Sequence, residues 1–421
     1  MRNWAKRIVF STPFLRDAWC RLRARQLASS YAARRDHYAR EMGRRGLVYR
    51  EAESVTAARD RIRKRGYEIK PRPAGDIHTF ALVPRFSWHE SLFPDLRELG
   101  PLSVFDYMSL GYDWWEFFRA RSAKRRREMN ARALAAFREA HARRPVDWIF
   151  TYAMGFEVRS EFLQALIDEA GVPIVNMCFD DKQGWEGRVL EGQRTGQVDI
   201  ASSFDLSWTS ARVALDWYLA EGARPVYMPE GFDASLFRPM EGERDIPVSF
   251  IGASYGFRPS VVRYLRRHGV PLQVFGDGWK TRSLSTQDQV SVINRSRVNV
   301  GMGGILHSEE LTNVKGRDFE IPGTGGGVYV TSFNPDLAQH FDVGREILCY
   351  RNRDEMVELI LEALKRPEES REMARRARER CLREHRWLHR YRRLLEMLGV
   401  LAGGPAAAST ERSGAASGRP S

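Results

Sequence analysis

The feature that most constrains this chain is an alternation of short apolar runs and helical stretches between Asp76 and Lys365. The runs at 80–84, 102–107, 147–152, 172–178 and 206–209 are short and rich in β-branched and aromatic residues, so they read as strands. Residues 122–143, 158–170 and 211–221 between them read as helices. The pattern restarts after Pro239 with strands at 248–252, 272–275, 297–300, 328–330 and 344–350. Helices are expected at 258–267, near 290–293 and at 354–365, the last with Asp354 as N-cap and Pro367 after its end. Such alternation predicts parallel sheets covered by helices on both faces. The expected class is therefore α/β, with two Rossmann-like domains, and 421 residues suffice for both.

The expected division is a basic helical extension (1–70), a first domain (71–240), a second domain (241–383), a crossover helix (384–401) and a disordered tail (402–421). Residues 371–398 read as one long helical region, with Trp387, Tyr391, Leu394, Leu395 and Leu398 as its apolar stripe. The tail is almost all Ala, Gly, Ser and Pro. Residues 1–75 carry 20 Lys/Arg against 7 Asp/Glu, which is the whole net charge of +13. The basicity thus belongs to the extension, where 21–43 and 52–65 look helical. Trp4, Ile8, Phe14, Leu15 and Trp19 form an apolar stripe among arginines there, a pattern that suits either packing on the body or peripheral contact with an anionic membrane through residues 1–70. Nucleic acid is not an expected partner, since no binding module accompanies the charge. The amino terminus lacks the apolar core of a signal peptide, so a cytoplasmic location, at most peripheral to the inner membrane face, is expected. The four cysteines are far apart, which argues against a zinc site or a disulfide framework.

Three places carry candidate chemistry. In 314–332, VKGRDFEIPGTGGGVYVTS, the cations Lys315 and Arg317 precede Glu320, a glycine cluster and an apolar strand. Glycines allow close backbone approach to a ligand, cations suit phosphate, and a carboxylate suits sugar hydroxyls. The stretch is expected to be a loop at a nucleotide or nucleotide-sugar site, with Thr324, Gly325 and Gly326 at the ligand. The plainer alternative is a helix-to-strand connection in which Glu320 caps a helix. A second place is Gly252 with Gly276-Asp277-Gly278-Trp279, where strands end and phosphates meet backbone N–H groups. The third is Asp180-Asp181 after the strand ending at Cys178, the expected source of a general base, with Asp181 favoured over Asp180 and His89 next. Its plainer alternative is an Asx turn or helix N-cap.

The motif F-E-x-P-G-T-G-G-x-x-x-x-T from Phe319 to Thr331, followed by Asn334-Pro335-Asp336-Leu337 and Phe341, resembles the bacterial spore-protein (CgeB-type) glycosyltransferase-like family. The segment PVYMPEGFDASLFRP at 225–239 is similar to the hinge of GT-B transferases. The resemblance implies the two-domain GT-B fold and a last helix that crosses back onto the first domain. It implies that Glu320 binds the donor ribose and that Arg258 lies beside the donor diphosphate. Thr312 stands where many relatives carry a further acid. The implied function is a metal-independent glycosyltransferase, without cofactor, that moves a sugar from a nucleotide-diphosphate-sugar donor to an acceptor in the interdomain cleft. Arg258, Lys315 and Arg317 would neutralise the leaving diphosphate. The alternatives are a GT-B-shaped protein that only binds glycan or nucleotide, and a membrane-surface or RNA scaffold using the basic arm.

Overall fold

The computed structural model describes residues 12–85, 89–119, 123–190, 192–280 and 283–402. The expected disordered tail, from 403 on, and the aromatic residue Trp4 and Ile8 of the amino-terminal stripe lie outside the described residues.

Strands β1 (Thr79–Leu82), β2 (Leu102–Phe105), β3 (Trp148–Thr151), β4 (Ile174–Cys178), β5 (Leu206–Thr209) and β6 (Pro225–Tyr227) form one all-parallel sheet in the order β2-β1-β3-β4-β5-β6. Strands β7 (Ile246–Ile251), β8 (Leu272–Phe275), β9 (Ser296–Val300), β10 (Val328–Ser332) and β11 (Leu348–Tyr350) form a second, ordered β8-β7-β9-β10-β11. Both sheets thus start in the interior, step one strand outward and return to run the other way. That reversal places a crevice at the carboxyl ends of the first and third strands of each sheet. Each sheet buries both faces. Along β1, Phe80 and Leu82 join one apolar cluster while Ala81 joins the other, as a period of two requires. In the second half Val248, Phe250, Val298 and Val330 pack under helix α3 (Arg258–Arg267), and Tyr329 packs on the opposite face. These are two Rossmann-like α/β domains, as the sequence pattern implies.

The carboxyl ends of the two sheets face each other. Asn313 Nδ2 donates to the Phe179 carbonyl at 3.3 Å, and Lys182 Nζ donates to the Thr312 carbonyl at 2.7 Å. Phe179 and Lys182 follow β4, and residues 312–313 follow β9 and a short hairpin, so these bonds close the inner end of a cleft.

Several local expectations change. The stretch is a helix-to-strand connection, in which Gly325, Gly326 and Gly327 form the short turn and Gly323 is helical. Residues 317–324 form helix α4 (Arg317–Thr324), with Pro322 inside it and Gly325 as its left-handed C-cap at φ 71°. Phe319 and Ile321 stand two residues apart, so helical spacing does not announce this helix; the cap glycine is its best signal. The N-cap of the helix Arg353–Lys365 is Asn352, whose side chain accepts from the Glu355 N–H, and not Asp354. The long final helical region is two helices, α5 (Pro367–Glu384) and α6 (Trp387–Leu398), broken at His385-Arg386.

The amino-terminal helices are tied into the body. Helix α1 (Pro13–Arg45) is about 50 Å long at 1.5 Å per residue. Its amino-terminal part meets the second domain, where Asp17 pairs with Arg263 at 2.5 Å and the Trp19 ring lies edge-on to His307 at 4.7 Å. Its carboxyl-terminal part meets the first domain, where Arg34 pairs with Glu186 and the Tyr38 hydroxyl accepts from Trp185 Nε1 at 2.8 Å. Helix α2 (Glu51–Lys64) buries Ala58 and Ile62 completely against the first sheet, in one cluster with Trp387, Tyr391, Leu394 and Leu398 of α6. Of the two readings of the extension, packing on the body describes these helices, and α2 and α6 cover the same face of the first sheet. No described helix is long and apolar enough to cross a membrane.

Candidate functional site

The charged groups that the sequence singles out meet at the carboxyl end of the second sheet, opposite β4 of the first. Gly252 ends β7. A Cβ there would lie 2.9 Å from the Phe250 ring and 3.1 Å from Arg258 Nη1, so only glycine lets the Arg258 guanidinium fold over the strand end. Arg258 is buried at the start of α3, donates to the Ala253 carbonyl at 3.1 Å and lies 4.3 Å from the Tyr255 ring centroid. Its Nε has no hydrogen-bond partner among the described residues. Gly276 and Gly278 both adopt positive φ and pack against Gly252 and Ser254, and the Ser254 N–H donates to the Asp277 carbonyl at 2.7 Å. The two glycine loops are therefore brought together, zipped to each other beside Arg258.

Lys315 stands next to Arg258. Its Nζ donates to the Gly304 carbonyl at 2.8 Å, and no carboxylate oxygen among the described residues pairs with it directly. Burial, and then the Arg258 charge, hold the Lys315 ammonium down to about 8, against the pull of Asp318, Asp180 and Glu230. Asp318 is buried and accepts from the Lys315 N–H at 2.8 Å and the Tyr329 hydroxyl at 2.8 Å, so it pins the loop that carries the lysine. Arg317 lies close enough for its charge to act on Arg258. It donates to Glu320 at 3.0 Å and to Gln289, so its charge is already met within the domain. Glu320 is buried on the first turn of α4, and burial raises its carboxyl above the usual range while Arg317 lowers it.

Thr324, Gly325 and Gly326 are not with them. They lie at the far end of α4, which runs back from the crevice to the start of β10. The Thr324 hydroxyl donates to the Glu320 carbonyl, and Cβ atoms at Gly325 and Gly326 would strike Arg378 and the Ile293 carbonyl. These glycines let α4 press onto its neighbours, so the stretch is a helix-to-strand connection, with Glu320 inside the helix and not its cap.

Across the cleft the two aspartates part. Asp181 is fully buried, accepts from Thr209 Oγ1 at 2.5 Å and from the Tyr218 hydroxyl at 2.8 Å, and points back into the first domain. Both Asp181 oxygens are thus met within the first domain, where they hold the short helix Asp181–Gly184 to β5. Asp180 is partly exposed and faces the second domain, accepting from the Tyr152 hydroxyl at 3.2 Å and from Gln183. Burial raises its carboxyl, while Tyr152 and then the Lys315 charge lower it. His89 is buried in a single helical turn after β1, its ring edge-on to Phe93, with burial lowering its basicity. Nothing brings it to Asp180.

Sequence reasoning misses Glu230. It lies in the hinge segment, between Pro229 and Gly231, and its carboxylate takes a hydrogen bond from the Gly316 N–H. Burial, then the neighbouring charges of Glu320, Asp180 and Asp318, push it well above the usual carboxylate range. A hinge glutamate between proline and glycine was the available signal. Thr312 offers Lys182 a backbone carbonyl and accepts from Asn334 through its hydroxyl. Two cavities, of about 540 Å³ beside β8 and about 490 Å³ between α1 and the second domain, lie away from these groups.

The fold defines a two-domain protein with a charged crevice between Rossmann-like halves. Residues 258–396 match the family described as glycosyl transferase-like. No curated protein matches the chain. Among solved structures, the chain is similar to a UDP-forming α,α-trehalose-phosphate synthase from Burkholderia vietnamiensis, at 11% identity, with 77% of this chain and 100% of that one covered and a TM-score of 0.48. It is similar to Anabaena HepE, solved with UDP-glucose, at 9% identity, 76% and 99% coverage and a TM-score of 0.48. It is also similar to MnaA of S. aureus, solved with UDP, at 11% identity, 71% and 91% coverage and a TM-score of 0.41.

Proposed function

We propose that the protein is a glycosyltransferase that moves a sugar from a nucleotide-diphosphate-sugar donor to an acceptor hydroxyl. The observation that carries the reading is the convergence of Arg258 and Lys315, neither paired with a carboxylate by a direct bond, at the crevice of the second sheet and within the segment that matches the glycosyl transferase-like family. A diphosphate there would give both cations the anionic partner they lack. Glu320, one turn into α4, binds the ribose hydroxyls, and Glu230 lines the same place from the hinge.

Asp180 faces these groups from the other domain and is the proton acceptor. In a direct displacement, the acceptor oxygen forms a bond to the anomeric carbon as the bond from that carbon to the diphosphate breaks. The hydroxyl proton passes to the Asp180 carboxylate, and the electron pair leaves with the diphosphate. Lys315 and Arg258 stabilise the charge that develops there. In this reading protein cations, and not a metal ion or a cofactor, meet the leaving group. Tyr152 orients the carboxylate through its hydroxyl.

A second reading, a protein that binds donor without turning it over, is favoured by the Arg317–Glu320 pair, which occupies one carboxylate oxygen already. Incubation with nucleotide-diphosphate sugars separates the two. Release of free nucleoside diphosphate by the wild type, and its loss in Asp180→Asn, supports transfer. Tight donor binding without release identifies the binder.

A further inference from the structure

We propose that the amino-terminal half of α1 docks on an anionic bilayer surface. Leu15, Trp19 and Leu22 follow one another at four and three residues, so they share one face of the helix. Leu15 and Leu22 are 40% and 55% exposed, and Phe14 beside them is 73% exposed. The other half of the same helix behaves differently, burying Arg34, Tyr38 and Met42 against the first domain. An amphipathic helix normally turns its apolar face to the body. Here the first turns bury Cys20, seat Trp19 on His307 and leave Phe14, Leu15 and Leu22 outward.

The charges around the stripe identify the partner. Arg21, Arg23 and Arg25 are exposed and flank it, and the Arg23 guanidinium lies 5.4 Å from the Trp19 ring centroid. Residues 12–26 contain four arginines, Arg16, Arg21, Arg23 and Arg25, and one acid, Asp17, and that acid is paired with Arg263. The other acids of α1, Asp36 and Glu41, lie in its far half and pair with Arg35 and Arg44, and of the hairpin acids that share a cavity with Arg21 and Arg25, Glu309 pairs with Arg353. Apolar side chains ringed by arginines suit the boundary of an anionic bilayer, where the stems lie along the acyl region and the guanidinium groups reach phosphate. A nucleic acid would use the charge and leave the leucines exposed.

A second element adds to the surface. The hairpin Gly304–Ile305 with Ser308–Thr312 turns at Leu306, the non-glycine residue that holds a positive φ, 52°, among those described. A leucine is strained there and stays so only where its neighbours impose it. Its side chain is 40% exposed, and the next residue, His307, meets the Trp19 ring. Leu306 thus stands beside the stripe as a second apolar contact.

The test uses the full chain and two kinds of vesicle, pure phosphatidylcholine and phosphatidylcholine mixed with phosphatidylglycerol, in a flotation assay. The expected result is binding to the mixed vesicles alone, weakening with salt. Replacing Arg21, Arg23 and Arg25 together by Gln lowers the partition coefficient by about 100-fold, at roughly fivefold per basic residue. All three are exposed, so a wild-type melting curve certifies the fold, and Leu15→Ser with Leu22→Ser gives an independent loss. No binding to mixed vesicles overturns the proposal. So does equal binding to both kinds, binding that neither variant alters, or binding to RNA with none to vesicles.

Discussion

The two sheets share one strand order, yet they are finished differently. In the second domain the covering helices come from within, and the carboxyl end is left with cations that lack direct acidic partners. In the first domain one face is closed by α2 and α6, from opposite ends of the described chain. Its carboxyl end is mostly satisfied internally: Asp181 by Thr209 and Tyr218, Glu157 by Tyr107 and the Met154 N–H. A common topology therefore fixes where a crevice forms, and side chains decide which half holds charge ready for a ligand. The first half offers Asp180, partly exposed although Tyr152 and Gln183 donate to it, and a rigid frame behind it.

The largest expected effect tests the finishing of the first domain. A chain beginning at Pro71 lacks Ala58 and Ile62 and exposes the apolar face of α6, so it should aggregate or lose its cooperative melt. A soluble, cooperatively folding truncated chain would break the contrast between the halves.

The next test separates neighbours. Asp180→Asn should lower kcat by about 10²–10⁴-fold, the range for a general base, while donor affinity stays near wild type. Asp181→Asn should chiefly cost stability, about 1–3 kcal/mol, because it disturbs a buried hydrogen-bonded carboxyl. The reverse pattern, in kinetics and thermal melts, would restore Asp181 as base.

Smaller effects belong to the second domain. Glu320→Gln should weaken donor binding by about 1.5–3 kcal/mol, as for a hydrogen bond to a charged group. Affinity for a nucleoside diphosphate should also fall as pH rises through about 8, since Lys315 then loses its proton and its charge. Titration calorimetry across that range checks the sign, and Lys315→Met should flatten the dependence. Gly326→Ala should be the mildest for function. Its Cβ would meet the Ile293 carbonyl at 2.4 Å, so stability should fall by about 1–3 kcal/mol with donor affinity unchanged in the folded fraction. Lost affinity there would bring the glycine cluster back to the ligand.

Much of the fold was legible because strands buried on both faces must be apolar and their helices must be amphipathic. The spans 206–209, 258–267 and 272–275 match the structure residue for residue. The site was legible only in part. Lys315, Arg258 and Glu320 are found from their place after strands or before glycine. The direction of a side chain is not: consecutive aspartates follow β4 alike, and only Thr209 and Tyr218, brought there by the next strand and helix, show which one is taken. The glycine cluster misleads for a related reason. Close approach to a ligand and close approach to Ile293 and Arg378 demand the same residue. Glu230 escapes because its neighbours Glu320 and Asp180 are distant in sequence.

The central claim, that the crevice of the second sheet takes a nucleoside diphosphate through Arg258 and Lys315, is tested most directly by thermal stability across a panel of nucleoside diphosphates. The account predicts that at least one, at 100 times its Kd, stabilises the wild type by about 2.7 kcal/mol and fails to stabilise Lys315→Met. A panel in which none stabilises the wild type, or in which Lys315→Met responds equally, would contradict it.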